Sequence, residues 1–250
     1  MRTHKIPKTV GTHKIPKTVG THKIPKVVPP TVQIVGAFNS GTNVVIKLIK
    51  SLFNVTLHPE GHTLFWKHTR PTLELVTKQP KKVLYIVVVK HPLFWFHSIH
   101  KKPYAMSTAK LASELSTIAY IKQSVALLNE TYYDFVDYYN QFYNSCRANL
   151  PSEQTVFINY TDLLTQPMNV IEQLSACLPY HTRICTDQKA IAKVITTVLA
   201  RPAKSHGQPR YGGEAARWYA AANLSKLFNV PDSQWINERL DQNLIRFLGY

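Results

Sequence analysis

The chain has 250 residues, 44% of them hydrophobic, and a formal net charge of +16. That length and composition suit one globular domain with a substantial core and exclude a collagen-like or wholly disordered chain. Three cysteines (Cys146, Cys177 and Cys185) without a CxxC pair exclude a disulfide scaffold and a cysteine-based metal site.

The N-terminus is repetitive. THKIPKTVG occupies 3–11 and again 12–20, and THKIPK returns at 21–26. A Lys- and Pro-bearing unit of this length cannot bury a core, so residues 1–30, closed by Pro29-Pro30, are expected to form a disordered basic arm. Seven of the 30 Lys/Arg lie there with no acidic residue, leaving 23 basic against 14 acidic residues, or +9, in the rest. A basic balance suits an anionic ligand, an acidic acceptor or nucleic acid; the arm is the one segment that offers nucleic acid a tether, and a solvated tail is the simpler reading of it.

From Thr31 to Tyr250 the pattern is that of one domain. Strands are predicted at Val32–Val35, about Thr63–Trp66, Val83–Val89 and Val156–Asn159. Their continuous apolar runs suit parallel strands buried on both faces. Helices are predicted at Thr42–Phe53, over a long region from about Ser107 to Asn144, and at Pro167–Leu178, Asp187–Leu199 and Asp232–Leu248. Strands alternating with helices predict an α/β fold, a doubly wound and mainly parallel sheet flanked by helices. The Tyr-rich stretch Tyr132–Tyr143 is expected to pack on the sheet rather than to stack on bases. No apolar run approaches the roughly 20 residues that span a bilayer, and the N-terminus shows no apolar signal core. A soluble, cytoplasmic protein is expected.

Three segments carry chemistry. The first is Gly36-Ala37-Phe38-Asn39-Ser40-Gly41-Thr42-Asn43, a strand turning through glycines onto a helix N-terminus. Amides there lack intrahelical partners and favour anions, so Asn39, Ser40, Gly41, Thr42 and Asn43 are candidate phosphate or sulfate ligands. The glycines have Walker-loop spacing, but Thr42 stands where the lysine belongs. The second segment places Lys90 at the end of the VLYIVVV strand and Ser98 eight residues later on the next helix. Ligands of open sheets sit beyond the carboxyl ends of the strands, which would bring this cation and hydroxyl to the same crevice. The third is Asn159-Tyr160-Thr161-Asp162-Leu163-Leu164-Thr165-Gln166-Pro167, again a strand end followed by a turn.

Together the three resemble the sulfotransferase superfamily, whose donor is 3′-phosphoadenosine 5′-phosphosulfate (PAPS). The resemblance covers about residues 31–250. The glycine loop is similar to that family's 5′-phosphosulfate loop, a basic residue followed by SGTT, with Asn39 here in the basic position. Lys90 and Ser98 match the interval of its 3′-phosphate motif, with Lys in place of Arg. Tyr160, Asp162, Leu163 and Pro167 match its YEDL…P element.

The resemblance implies PAPS binding without a metal, and an acceptor that is a small molecule, a glycan or a peptide. It implies a base near the Phe65-Trp66-Lys67-His68 segment. His68 is the preferred candidate, with Glu60 as rival and His62 as a third. Lys67 is the candidate cation for the leaving phosphate. Tyr160 is placed near the adenine, and Lys204 and Arg210 of the late basic loop 201–213 near the 3′-phosphate. Two alternatives stay open at this point. One is a P-loop nucleotide kinase or related phosphotransferase, and the other a non-catalytic protein that binds anions or nucleic acid.

Overall fold

The computed structural model describes residues 31–57, 65–80, 82–104, 106–179, 187–199, 219 and 226–250. The strands among them are β1 (Thr31–Val35), β2 (Thr56–Leu57), β3 (Val83–Val89), β4 (Val125–Leu127), β5 (Glu130–Tyr132) and β6 (Thr155–Asn159). One all-parallel sheet has the order β2-β1-β3-β6, and β4 and β5 form a separate antiparallel hairpin. The helices are α1 (Thr42–Leu52), α2 (Leu73–Thr77), α3 (Pro92–Lys101), α4 (Thr117–Ile121), α5 (Phe135–Asn149), α6 (Tyr160–Thr165), α7 (Pro167–Ser175), α8 (Gln188–Leu199), α9 (Val230–Arg239) and α10 (Gln242–Phe247). This is the α/β architecture expected of the sequence.

Every residue of β3 is buried, because both faces of the sheet are covered. Val83, Tyr85, Val87 and Val89 face one core, with residues of α3, α5 and α10. Leu84, Ile86 and Val88 face the other, with α1, α7 and α8. The two-residue alternation of strand side chains thus divides one apolar run between two layers. Helix α1 buries Val45, Leu48, Ile49 and Leu52, the i, i+3, i+4, i+7 stripe of a helix packed on one face.

The chain passes from β1 through α1 to β2 on one side, then returns to β3 on the other side of β1. The carboxyl ends of β1 and β3 therefore flank a topological switch point, where an open sheet has its crevice. Register sets Val35 beside Val87, so β3 outruns β1 and Lys90 follows at the same rim.

Three local expectations differ from the structure. The region 107–144 is not one long helix. It holds a 3-10 turn (Ala109–Ser113), α4, the β4–β5 hairpin and the start of α5. Leu128 and Asn129, at φ 51° and 67°, make the reversal, and the side chain of Asp134 caps α5 at the N–H of Asp137. The predicted Asp232–Leu248 helix is two helices, broken at Leu240 in extended backbone, after which Asp241 caps α10 through the N–H groups of Asn243 and Leu244. Phe65 and Trp66 lie outside any strand, and the rest of the predicted Thr63–Trp66 strand lies outside the described residues. The arm 1–30 lies outside them too. Buried Tyr138, Tyr139 and Tyr143 put the Tyr-rich face of α5 against the sheet, as expected. Among the described residues no helix is long and apolar enough to cross a membrane.

Candidate anion site at the strand tips

Three successive carbonyl groups of the loop between β1 and α1 are engaged. Gly36 O faces His68 Nδ1 at 2.6 Å, Ala37 O accepts from Ser40 N at 3.2 Å, and Phe38 O accepts from the indole of Trp95. The amide of Asn39, a residue at φ 60°, donates to Ser98 O at 3.2 Å and Lys102 O at 2.8 Å. These bonds fasten the loop to α3 and to the 65–70 segment. Gly36 N adds a bond to Lys67 O at 2.9 Å.

The donors are arranged oppositely. Gly41 is the N-cap of α1 at φ +101°, and it carries no side chain to cap the helix. Among the described residues no acceptor takes the N–H of Gly41, Thr42 or Asn43, and the first turn holds no acidic side chain. With the Gly36, Ala37 and Phe38 carbonyls occupied and the amides at the start of α1 open, this end of the loop presents partial positive charge, which favours an anion. Both glycines are sterically required. A Cβ on Gly36 would lie 2.5 Å from Ser40 Oγ and 2.9 Å from Val88 O, and one on Gly41 would fall into the Tyr160 ring. Ser40 is fully buried, its hydroxyl turned back toward Gly36 beneath the loop.

Lys90 is 5% exposed, and its ammonium donates to Ser98 Oγ at 2.7 Å. Ser98 Oγ in turn donates to Phe94 O at 2.8 Å. The Tyr160 ring lies 5.3 Å from the ammonium and makes a cation–π contact with it. Among the described residues no carboxylate is paired with Lys90, and burial lowers its pKa to about 7. An ammonium held in that condition is stabilised by an incoming anion. Next to it His91 accepts the N–H of Leu93 at 3.3 Å, and burial brings its pKa down to about 4, so it adds no charge at neutral pH.

Thus Asn39, Ser40, Gly41, Thr42, Lys90, Ser98 and Tyr160 come together at one rim. Asn43, the second residue of α1, is exposed beside them. The Asn39 amide faces α3 rather than the open amides. His68 stands behind the loop, buried and stacked on Phe38 at 4.3 Å, with Trp66 edge-on at 4.9 Å. A carbonyl only accepts, so Nδ1 carries the proton toward Gly36 and the basic nitrogen of the neutral ring is Nε2. Lys67 joins the site by its backbone, and its side chain is half-buried. Glu60, His62, Lys204 and Arg210 lie outside the described residues.

Sequence reasoning missed Phe38, Trp95, Tyr139 and Tyr143. Phe38 packs on His68, and Trp95 holds the loop. Tyr139 and Tyr143 donate to Lys90 O at 2.9 Å and Val88 O at 3.0 Å. Their four-residue spacing was a signal for a shared helix face but not for hydroxyls reaching a strand end.

No family model matches the chain, and no curated protein matches it. Among solved structures, the fold is similar to that of mouse sulfotransferase SULT7A1 complexed with PAP, with a TM-score of 0.45, 13% identity, and coverage of 86% of this chain and 84% of that one.

Proposed function

We propose that the chain is a sulfotransferase that moves a sulfuryl group from PAPS to a hydroxyl or amine acceptor. The residues carry this reading, and the decisive observation is the double use of Ser98. Its backbone carbonyl ties down the glycine loop through Asn39, while its hydroxyl receives the Lys90 ammonium. Two anion-favouring features, open helix-start amides and an uncompensated buried cation, therefore share one rim. A ligand with two separate anionic ends fits them better than one with a single polyphosphate tail, and Thr42 in the Walker-lysine position argues the same way.

PAPS fits the residues present. The glycine cradle and the amides of Gly41, Thr42 and Asn43 would hold its sulfate-bearing end, and Lys90 with Ser98 its 3′-phosphate. Bound there, PAPS supplies an activated sulfuryl group. His68, fixed by Gly36 O and Phe38, receives the acceptor's proton at Nε2. Lys67 serves the charge that develops on the leaving phosphate, because the Asn39 amide carries none and is bonded to α3. That engagement of Asn39 also favours the second reading, a binding protein without catalysis.

Thermal-shift titration with adenosine 3′,5′-bisphosphate (PAP), ATP–Mg²⁺ and an oligonucleotide separates these readings, since native-state binding raises the melting temperature with the logarithm of ligand over Kd. A shift with PAP and PAPS-dependent labelling of an acceptor panel are expected. A shift with ATP–Mg²⁺ and none with PAP overturns the proposal. A PAP shift without turnover on any acceptor leaves the binding protein.

A further inference from the structure

We propose that Tyr139 and Tyr143 are positioning residues for the anion site, acting through the backbone of β3 on Lys90. This rests on the PAP-binding reading above. β1 leaves the sheet after Val35, opposite Val87, so beyond that point β3 has no neighbouring strand on that side. The glycine loop passes there instead, so close that a Cβ on Gly36 would lie 2.9 Å from Val88 O. Carbonyls left open at this edge would be natural acceptors for the loop's own amides.

The tyrosines remove that competition. Tyr143 Oη donates to Val88 O at 3.0 Å and Tyr139 Oη to Lys90 O at 2.9 Å. Two residues along a strand advance about 6.6 Å and four along a helix about 6 Å, so the i, i+4 pair on α5 matches the i, i+2 pair of carbonyls on β3. The match holds with helix and strand running in opposite senses. Both rings are fully buried, and burial holds both hydroxyls well above their ordinary pKa, which keeps them protonated donors. The Lys90 backbone is thereby fixed, its ammonium is delivered to Ser98, and the N–H groups of Gly41, Thr42 and Asn43 stay free for ligand.

The test uses Tyr139→Phe and Tyr143→Phe, which delete one oxygen each. Calorimetric Kd values are measured for PAP and for AMP, which lacks the 3′-phosphate. Tyr139→Phe is expected to weaken PAP about tenfold and AMP less than twofold, so that the PAP/AMP preference itself falls. Tyr143→Phe, which acts at Val88 beside the loop, is expected to weaken both ligands similarly. With PAPS as variable substrate, KM should rise while kcat stays within twofold. For Tyr139→Phe, a melting temperature that falls while the PAP/AMP preference stays at the wild-type value makes the hydroxyl merely structural and overturns the inference. Should Tyr139→Phe not fold, the PAP and AMP affinities of Tyr143→Phe decide in the same way: unchanged values overturn it. Wild-type protein that binds no PAP overturns the site reading itself, and this inference with it.

Discussion

Replacing Lys90 by Met should make the ligand-free protein more stable while disabling its proposed ligand site. The ammonium is 5% exposed, faces no carboxylate among the described residues and has a pKa lowered to about 7 by burial. The unfolded chain holds that proton up to the ordinary lysine value, so between pH 7 and about 10.5 it binds more protons than the folded chain. Stability therefore rises with pH across that window, by about 1.4 kcal/mol per pH unit from this group. At pH 7 the folded, ligand-free chain is destabilised by about 4 kcal/mol relative to one with no ionisable group there. Methionine keeps the unbranched stem, and Ser98 Oγ keeps its bond to Phe94 O. Urea denaturation at pH 7, 8 and 9 should show Lys90→Met ahead by about 2–4 kcal/mol at pH 7, with the gap closing as pH rises. PAP affinity should fall about 10²-fold, or roughly 3 kcal/mol, because a desolvated charge contact is lost. A stability difference that is independent of pH, or a variant less stable than wild type with PAP affinity intact, would refute this reasoning.

Other substitutions probe the remaining parts. His68→Ala should lower turnover by about 10²- to 10⁴-fold, far more than it weakens PAP through the lost bond to Gly36 O, measured by steady-state kinetics and calorimetry; unchanged turnover moves the base elsewhere. Above pH 7, PAP affinity should fall by up to about tenfold per pH unit as free Lys90 loses its proton, and calorimetry in buffers of different ionisation enthalpy should register proton uptake. Gly41→Ala should cost at least about 2 kcal/mol, from φ +101° and collision with Tyr160. Adding Tyr160→Ala should recover part of that loss in a double-mutant cycle. Leu128→Asn should gain about 0.5–1 kcal/mol in urea denaturation, since Leu128 is half-exposed at φ 51° and asparagine tolerates that conformation.

The layers of the sheet could be read from the chain because burial on both faces removes every polar residue from β3. Helix α1 was equally legible through its apolar stripe. The two-residue strand β2 has no pattern to detect, and the β4–β5 hairpin turns on Leu128, a residue whose φ only the folded context imposes. Asp134 and Asp241 are residue types that cap helices, but only the folded backbone shows that they do so here. At the site, loop, cation and hydroxyl were legible as residue types at strand ends. The orientation of Asn39 was not, because it follows from φ 60° and from the carbonyls at the C-terminal end of α3. The hydroxyl contacts of Tyr139 and Tyr143 span 49 and 55 residues, a separation that no local pattern encodes.

If the site holds PAP as proposed, the Lys90–Ser98 pair distinguishes a 3′-phosphate. Paired calorimetric titrations of the wild-type chain with PAP and AMP at pH 7 measure this. PAP binding about 10²-fold tighter than AMP is predicted, with the preference abolished in Lys90→Met. Equal affinity for the two nucleotides, or a preference that survives in Lys90→Met, would contradict it.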